Sequence, residues 1–258
     1  MRRITFLLLT LLMAVNNSYG WGKRGHDVVC YIAECNLSPE ALENVTDLLD
    51  GYSMVYFSSW LDSASNTSEY KHTKTWHYMN MEKRDRVATM ERVKEGDVLS
   101  ASEISIATLR NNKSSREEKS VALKMLIHLI GDMHQPMHIG RLGDQGGNKI
   151  PVVYFVDSTT LHSAWDYNIV MGAHEWSYTE WQQQLDRLSD EQEAIVVSGD
   201  MADWVEQTQG VAQEIYRDTP AETRIFYDYM VKYTPIVEQQ LLYAGVRLAH
   251  ILNDIYEK

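Results

Sequence analysis

Two segments of this chain concentrate side chains that could do chemistry. One reads His128-Leu-Ile-Gly-Asp132-Met-His134-Gln-Pro-Met-His138 and the other His162-Ser-Ala-Trp-Asp166. His128/Asp132 and His162/Asp166 are each spaced i, i+4, which on a helix puts both side chains on one face, one turn apart. Neutral imidazole and carboxylate together form the donor set of hydrolytic zinc sites. One such pair is ordinary helix-surface chemistry. Here the pair occurs twice, and the first lies in the apolar stretch Leu123, Met125, Leu126, Ile127, Leu129, Ile130, where unpartnered polar groups are costly. The pattern points to a hydrolase holding more than one zinc ion.

Three upstream pieces offer further donors: Trp21-Gly-Lys-Arg-Gly-His26, Trp60-Leu-Asp62 and Trp76-His77-Tyr78-Met79-Asn80. If the chain is cut before Trp21, the new α-amino group, with a pKa of about 7.7–8.0, can lose its proton to a metal. Amine and carbonyl oxygen of that one residue can chelate a single ion. Taken singly, each piece fits a satisfied buried polar group as well as a ligand.

The elements that must position these residues read as helices. One is expected over 24–36, and Ser38-Pro39 opens a second that Gly51 closes. Ser58 to Ala64 form a short helix, and 66–75 reads as a loop. Further helices are expected over 97–111 and, after the capping box Ser115-Arg-Glu-Glu118, along the segment that carries His128. Pro136 ends or kinks that helix and should swing His138 away from the His128/Asp132 face. Asp144 to Asn148 form a turn, and Pro151 to Phe155 are the best strand candidate. Helices follow over about 159–171, 177–188 and 200–217, and a last one has Thr234 as N-cap and Pro235 at its first position. The expectation is an all-α single domain over 21–258, with at most a minor β-hairpin.

The chain's ends and composition bear on where it works. Arg2 and Arg3, the apolar run Ile4 to Val15, and Ser18-Tyr19-Gly20 have the layout of a cleavable export signal. The run is too short to span a bilayer, so the expected product is exported, periplasmic or secreted, and starts at Trp21. Losing two Arg and no acids would take the net charge from −12 to −14. Such a chain lacks the basic patches that hold nucleic acid by broad phosphate contact; attraction for a polyanion must come from bound cations at the site. Screening salt should then help some highly charged substrates. Cys30 and Cys35, five apart on one helix, point in different directions and should not pair.

In this order the motifs resemble one family closely, the zinc-dependent S1/P1 nucleases, relatives of zinc phospholipase C. The resemblance covers essentially the whole of 21–258. It rests on Trp-Gly…Gly-His26, Trp-x-Asp62, Trp-His77-Tyr, the highly specific His128-x3-Asp132-x-His134-Gln-Pro-x-His138, the Gly-Gly-Asn148 turn and His162-Ser-x-Trp-Asp166. It implies a phospholipase C/P1-like helical fold and three zinc ions. One would be held by Asp62, His77, His128 and Asp132; one by the Trp21 amine and carbonyl, His26 and Asp132; and one by His138, His162 and Asp166. It further implies that hydroxide made at the bridged pair, oriented by Asp62 as the catalytic residue, attacks phosphorus in line. The third ion would stabilise the departing 3′ oxygen. Single-stranded DNA, RNA and 3′-nucleotides are the implied substrates, with 5′-phosphate products. Tyr78 is the candidate base-stacking ring and Asn80 the candidate reader of the base edge. His134 and Asn148 are expected to orient ligands or backbone around the metals.

The chain departs from the family's pattern at two positions. Asn80 stands where an Asp is common, adding a donor to the acceptor. Ser65 stands where an Arg is common near the phosphate. The disulfides of fungal and plant members are absent, and the sequons at Asn44, Asn66 and Asn112 carry glycans only in a eukaryotic secretory pathway. A monomer without stable membrane association is expected. Competing readings are a phospholipase C-like phosphodiesterase acting on lipid headgroups, an exported helical protein that captures zinc without catalysis, and an intracellular HD-type phosphohydrolase. The acidic surface and the missing basic amphipathic helix weigh against the lipid enzyme, and the export signal against the last.

Overall fold

The computed structural model describes residues 21–257; the expected export signal at 1–20 lies outside the described residues. Helices succeed one another for most of this span: α1 (Lys23–Cys35), α2 (Pro39–Leu48), α3 (Trp60–Ala64), α4 (Val98–Arg110), α5 (Arg116–Met133), α6 (Leu161–Ser163), α7 (Ile169–Ala173), α8 (Tyr178–Leu185), α9 (Asp190–Val196), α10 (Met201–Asp218) and α11 (Tyr227–Tyr256). The fold is all-α, as the sequence led us to expect. No helix among the described residues is long and apolar enough to cross a membrane.

Helix starts follow the capping chemistry. Ser38 accepts the Ala41 N–H ahead of Pro39 to begin α2, and Ser115 with Glu118 forms the expected reciprocal box ahead of α5. From Leu123 to Met133 the helix α5 is buried without interruption except for half-buried Lys124. It packs against α1, α2, α3, α4 and α11. A helix enclosed on all sides must be apolar on all sides, so any polar group it carries there needs a partner. His128 and Asp132 are such groups.

Four elements differ from expectation. The strand β1 (Pro151–Tyr154) pairs antiparallel with β2 (Asp157–Thr160) and also in parallel with β3 (Thr223–Ile225), so the hairpin becomes a three-stranded sheet of order β2-β1-β3. Residues Lys71–His77 form a 3-10 segment instead of a loop. The helix α9 has a capping box at Ser189 and Gln192, yet among its residues only Val196 is buried; with no apolar stripe it leaves no periodic signal.

The last helix begins at Tyr227, and Pro235 lies inside it. An interior proline costs about 3 kcal/mol. The turns before it are held by burial of Met230 and Tyr233 and by an edge contact between Trp165 and Tyr233, 5.4 Å between centroids. Packing on both sides of the proline overrides its preference for a helix start.

Candidate metal centre

The candidate donors arrive on several separate pieces of backbone. His26 sits in the first turn of α1, Asp62 in α3, and His77 at the end of the Lys71–His77 segment. His128 and Asp132 lie one turn apart in α5. Met133 ends that helix, and the 3-10 turn Pro136–Ile139 carries His138. His162 lies in α6, and Asp166 in a π-turn, Ala164–Asn168, that follows directly. One extra residue in a helical turn re-aims the side chains it carries, and such bulges favour functional sites.

Asp132 is the centre of the cluster. Its carboxylate oxygens lie 2.9 Å from His77 Nδ1, 3.1 Å from His128 Nε2, 3.4 Å from His26 Nε2 and 3.5 Å from His138 Nδ1. Asp62 Oδ1 is 3.3 Å from His128 Nε2 and 3.9 Å from His77 Nδ1. On the other side, Asp166 lies 3.1 Å from His162 Nε2 and 3.8 Å from His138 Nε2. The Pro136 turn therefore does not carry His138 away from Asp132. It places this ring between the two carboxylates.

Three imidazoles are oriented by backbone carbonyls. The Nδ1–H of His128 donates to the Ser58 carbonyl at 2.8 Å, that of His138 to the His77 carbonyl at 2.6 Å, and that of His162 to the Gly146 carbonyl at 2.7 Å. A neutral ring with its proton fixed on Nδ1 presents a lone pair at Nε2, the arrangement that metal-binding histidines use. In all three rings that Nε2 faces a carboxylate.

The donor set fits metal ions by a second observation. His26 is fully buried, and its Nε2, Asp132 Oδ1 and Asp62 Oδ1 meet their neighbours at 3.3–3.5 Å without well-aligned hydrogen bonds. Buried polar atoms are well paired in nearly all folded proteins, so lone pairs that converge here without good hydrogen bonds suit a cation between them. Among the described residues, three sets have ligand atoms within 4.8 Å of one another and could hold an ion: His26/Asp62/His128, His77/His128/Asp132 and His138/His162/Asp166. The last coincides with an expected set. The first two draw on the residues expected for the bridged pair, merged into one group with His26 close to both aspartates.

Electrostatics agree. Burial alone would lower the His128 pKa, but the Asp132 and Asp62 carboxylates outweigh it and hold it well above the ordinary value. Burial would likewise raise Asp132, and His128 with His138 outweighs that and keeps it ionised. His26 is pushed down, by burial first and then by His128, whose ring stacks on it at 4.0 Å. The field that keeps a proton on His128 favours any cation in its place, and a metal displaces the proton.

The remaining expected residues are placed as follows. Trp21 is fully buried, and Gly22 N–H donates to the Asp166 carbonyl at 2.7 Å, so the opening of the described chain lies against the π-turn. Residues 78–81 run extended beside 138–140, through Met79 N–H to the His138 carbonyl and Met81 N–H to the Gly140 carbonyl, both at 2.9 Å. Met79 and Met81 are buried, so Tyr78 and Asn80, both half-buried, share the opposite face by alternation. Ser65 Oγ donates to the Asp62 carbonyl at 3.1 Å and brings no charge. Cys30 and Cys35 are unpaired, as expected.

The two expected orienting residues both bond backbone carbonyls. His134 donates to the Ile130 carbonyl at 2.8 Å and accepts from Arg247 Nη1 at 2.9 Å, tying the end of α5 to α11 away from the metal donors. The Asn148 side chain is exposed and bonds the Gln145 carbonyl in its own turn at 2.9 Å. The useful group in that turn is the Gly146 carbonyl. Gly146 has φ +60, and a Cβ there would lie 2.3 Å from the Met137 carbonyl oxygen, so only glycine brings the backbone this close.

Sequence reasoning missed Gln135, which is fully buried; its amide N–H donates to Asp166 Oδ1 while its carbonyl oxygen accepts Met137 N–H. An amide inside the His/Asp string was a signal that could have found it. Ser58 acts through its backbone and left none.

A family model described as S1/P1 Nuclease matches residues 21–257. The chain belongs to the S1/P1 nuclease family. It is similar to Endonuclease 5 of Arabidopsis thaliana, 30% identical over 98% of this chain and 95% of that one. It is similar also to Nuclease S1 of Aspergillus oryzae (strain ATCC 42149 / RIB 40), at 25% over 99% and 98%. Nuclease P1 of Penicillium citrinum is 33% identical over 64% of this chain and 65% of its own. S1/P1 nucleases are zinc-dependent hydrolases of nucleic acid, and this member is a nuclease with three His/Asp groups able to hold metal.

Proposed function

We propose that this protein is an exported zinc phosphodiesterase that cleaves single-stranded DNA and RNA to 5′-phosphorylated products and also acts as a 3′-nucleotidase. Three zinc ions are held by Asp62, His77, His128 and Asp132; by the Trp21 amine and carbonyl, His26 and Asp132; and by His138, His162 and Asp166. The observation that carries the reading is the convergence of eight buried or half-buried imidazoles and carboxylates whose lone pairs meet without good hydrogen bonds. Bound zinc supplies a water acidified to near neutral pH and positive charge for phosphate oxygens.

This chain's own residues do the rest. The Asp62 side chain is 24% exposed, against 9% or less for the other ion-paired donors of the cluster, so it stands where water and a phosphodiester enter. Its carboxylate orients the attacking water. Asp132, held ionised, fixes the rings around it. Tyr78 and Asn80, sharing one face beside His77, receive the base by stacking and hydrogen bonding.

The test is metal analysis of the protein purified from Trp21 onward, joined to assays on denatured and duplex DNA. About three zinc ions per chain and acid-soluble 5′-nucleotides from denatured DNA are expected, with duplex DNA and phosphatidylcholine left largely intact. Absence of zinc, or no release from denatured DNA, would overturn the reading.

A further inference from the structure

Outside the metal cluster, the most unusual surface feature is a run of aromatic rings beside it. Tyr52 is 52% and Tyr56 69% exposed, and their rings stack at 4.6 Å with an interplanar angle of 27°. Phe57 meets Tyr56 edge-on at 4.9 Å. Lys124 Nζ lies 4.4 Å from the Phe57 ring centroid and 6.0 Å from that of Trp60. Trp60 in turn meets Tyr70 edge-on at 5.2 Å. Phe57, Trp60 and Tyr70 are partly buried and rest on the core, whereas Tyr52 and Tyr56 stand beyond it. Core packing accounts for the first three rings and leaves the stacked tyrosines unexplained.

The run is continuous with the candidate metal centre. Phe57 immediately precedes Ser58, whose carbonyl fixes His128. Trp60 lies two residues before Asp62 in α3. Lys124 lies one turn before His128 on α5, so Lys124, His128 and Asp132 form one stripe at i, i+4, i+8. A polymer whose reacting phosphate sits at Asp62 therefore has stacked rings and a cation next in line on one side. The outward faces of a stacked tyrosine pair, followed along the chain by Phe57 with Lys124 over its ring, make a sequence-tolerant surface for unpaired bases and their backbone.

We propose that Tyr52, Tyr56 and Phe57, with Lys124, form a secondary binding track for the single strand, seating nucleotides beyond the one at the metal centre. The track rests on the single-strand nuclease reading above and adds a preference for long strands over short ones. In an acidic chain it supplies affinity by stacking, where broad phosphate contact is not available.

The experiment compares the zinc-loaded enzyme with a Tyr52→Ala/Tyr56→Ala double variant on a dodecathymidylate and on a thymidine dinucleotide. The KM for the dodecamer should rise about fivefold or more, by loss of base stacking, while the dinucleotide KM moves less than about twofold. A Lys124→Met variant should flatten the salt dependence of strand binding by about 0.7 in the log–log slope, one phosphate contact. An unchanged dodecamer KM, or an equal rise for both substrates, overturns the track. An unaltered salt slope removes Lys124 from it. A parent enzyme that cleaves neither substrate overturns the nuclease reading itself, and the track with it.

Discussion

His134 shows how much a single buried side chain can say about pH. Burial, and then the facing Arg247 guanidinium, push its pKa down to about 3. In the unfolded chain an imidazole titrates near ~6.5. Between those values the unfolded state binds the extra proton, so this residue's contribution is complete above about pH 6.5 and is lost as pH falls toward 3. The native stability should decline there by up to about 1.4 kcal/mol per pH unit from this group; His134→Gln lacks this decline, so wild-type stability relative to the variant, read by denaturant titration at several pH values, should shrink as pH falls below about 6.5. Asp62 gives the complementary prediction for chemistry. Asp62→Asn keeps the shape and removes a carboxylate that would both hold an ion and orient the attacking water, so kcat should fall about 10²–10⁴-fold while circular dichroism stays unchanged, with zinc content measured alongside to separate the two losses. The pairs His128/Asp132 and His162/Asp166 could be picked out as candidate donors from residue type and spacing, whereas His26, Asp62 and His77 joined them only through the family resemblance. The carbonyls of Ser58, His77 and Gly146 that orient the rings could not be picked out, because any residue supplies a carbonyl.

Elements convert that residue list into geometry. The pair His128/Asp132 was legible because α5 is a regular helix with a capping box at its start. The pair His162/Asp166 has the same spacing, yet a π-turn runs through it; periodicity does not report an inserted residue whose consequences are spatial. Pro136 was legible as a stop, but the direction of the chain after it depends on Gln135, which bonds Met137 N–H and Asp166 together. Gln135→Ala should leave the helices intact, cost about 1–3 kcal/mol through the unpaired groups, and weaken binding at the His138/His162/Asp166 set about 10–100-fold. Competition with a zinc-sensitive dye would measure it. The missed helix α9 has a local start signal, the capping box of Ser189 and Gln192, but no buried stripe behind it; the early start of α11 was decided by packing around Met230 and Tyr233, which local sequence patterns do not contain.

At the scale of the whole molecule, the centre concentrates imidazoles and carboxylates in a dry interior. Without cations, Asp132 faces four imidazole nitrogens at 2.9–3.5 Å in competition for protons. Chelation should therefore lower the melting temperature, by several degrees at least, since a ligand bound only by the native state stabilises it by mass action. Differential scanning calorimetry with and without a chelator, followed by zinc add-back, checks this. The helical frame was legible from capping boxes and apolar stripes. The small sheet was half legible, because β1 has the composition of a strand while β3, the short segment Thr223–Ile225, is held in place by pairing with a distant partner. The donors span His26 to Asp166 and come from separate segments of that frame. Few of them are neighbours along the polypeptide, so a nascent or clipped chain lacking any one segment cannot gather the set.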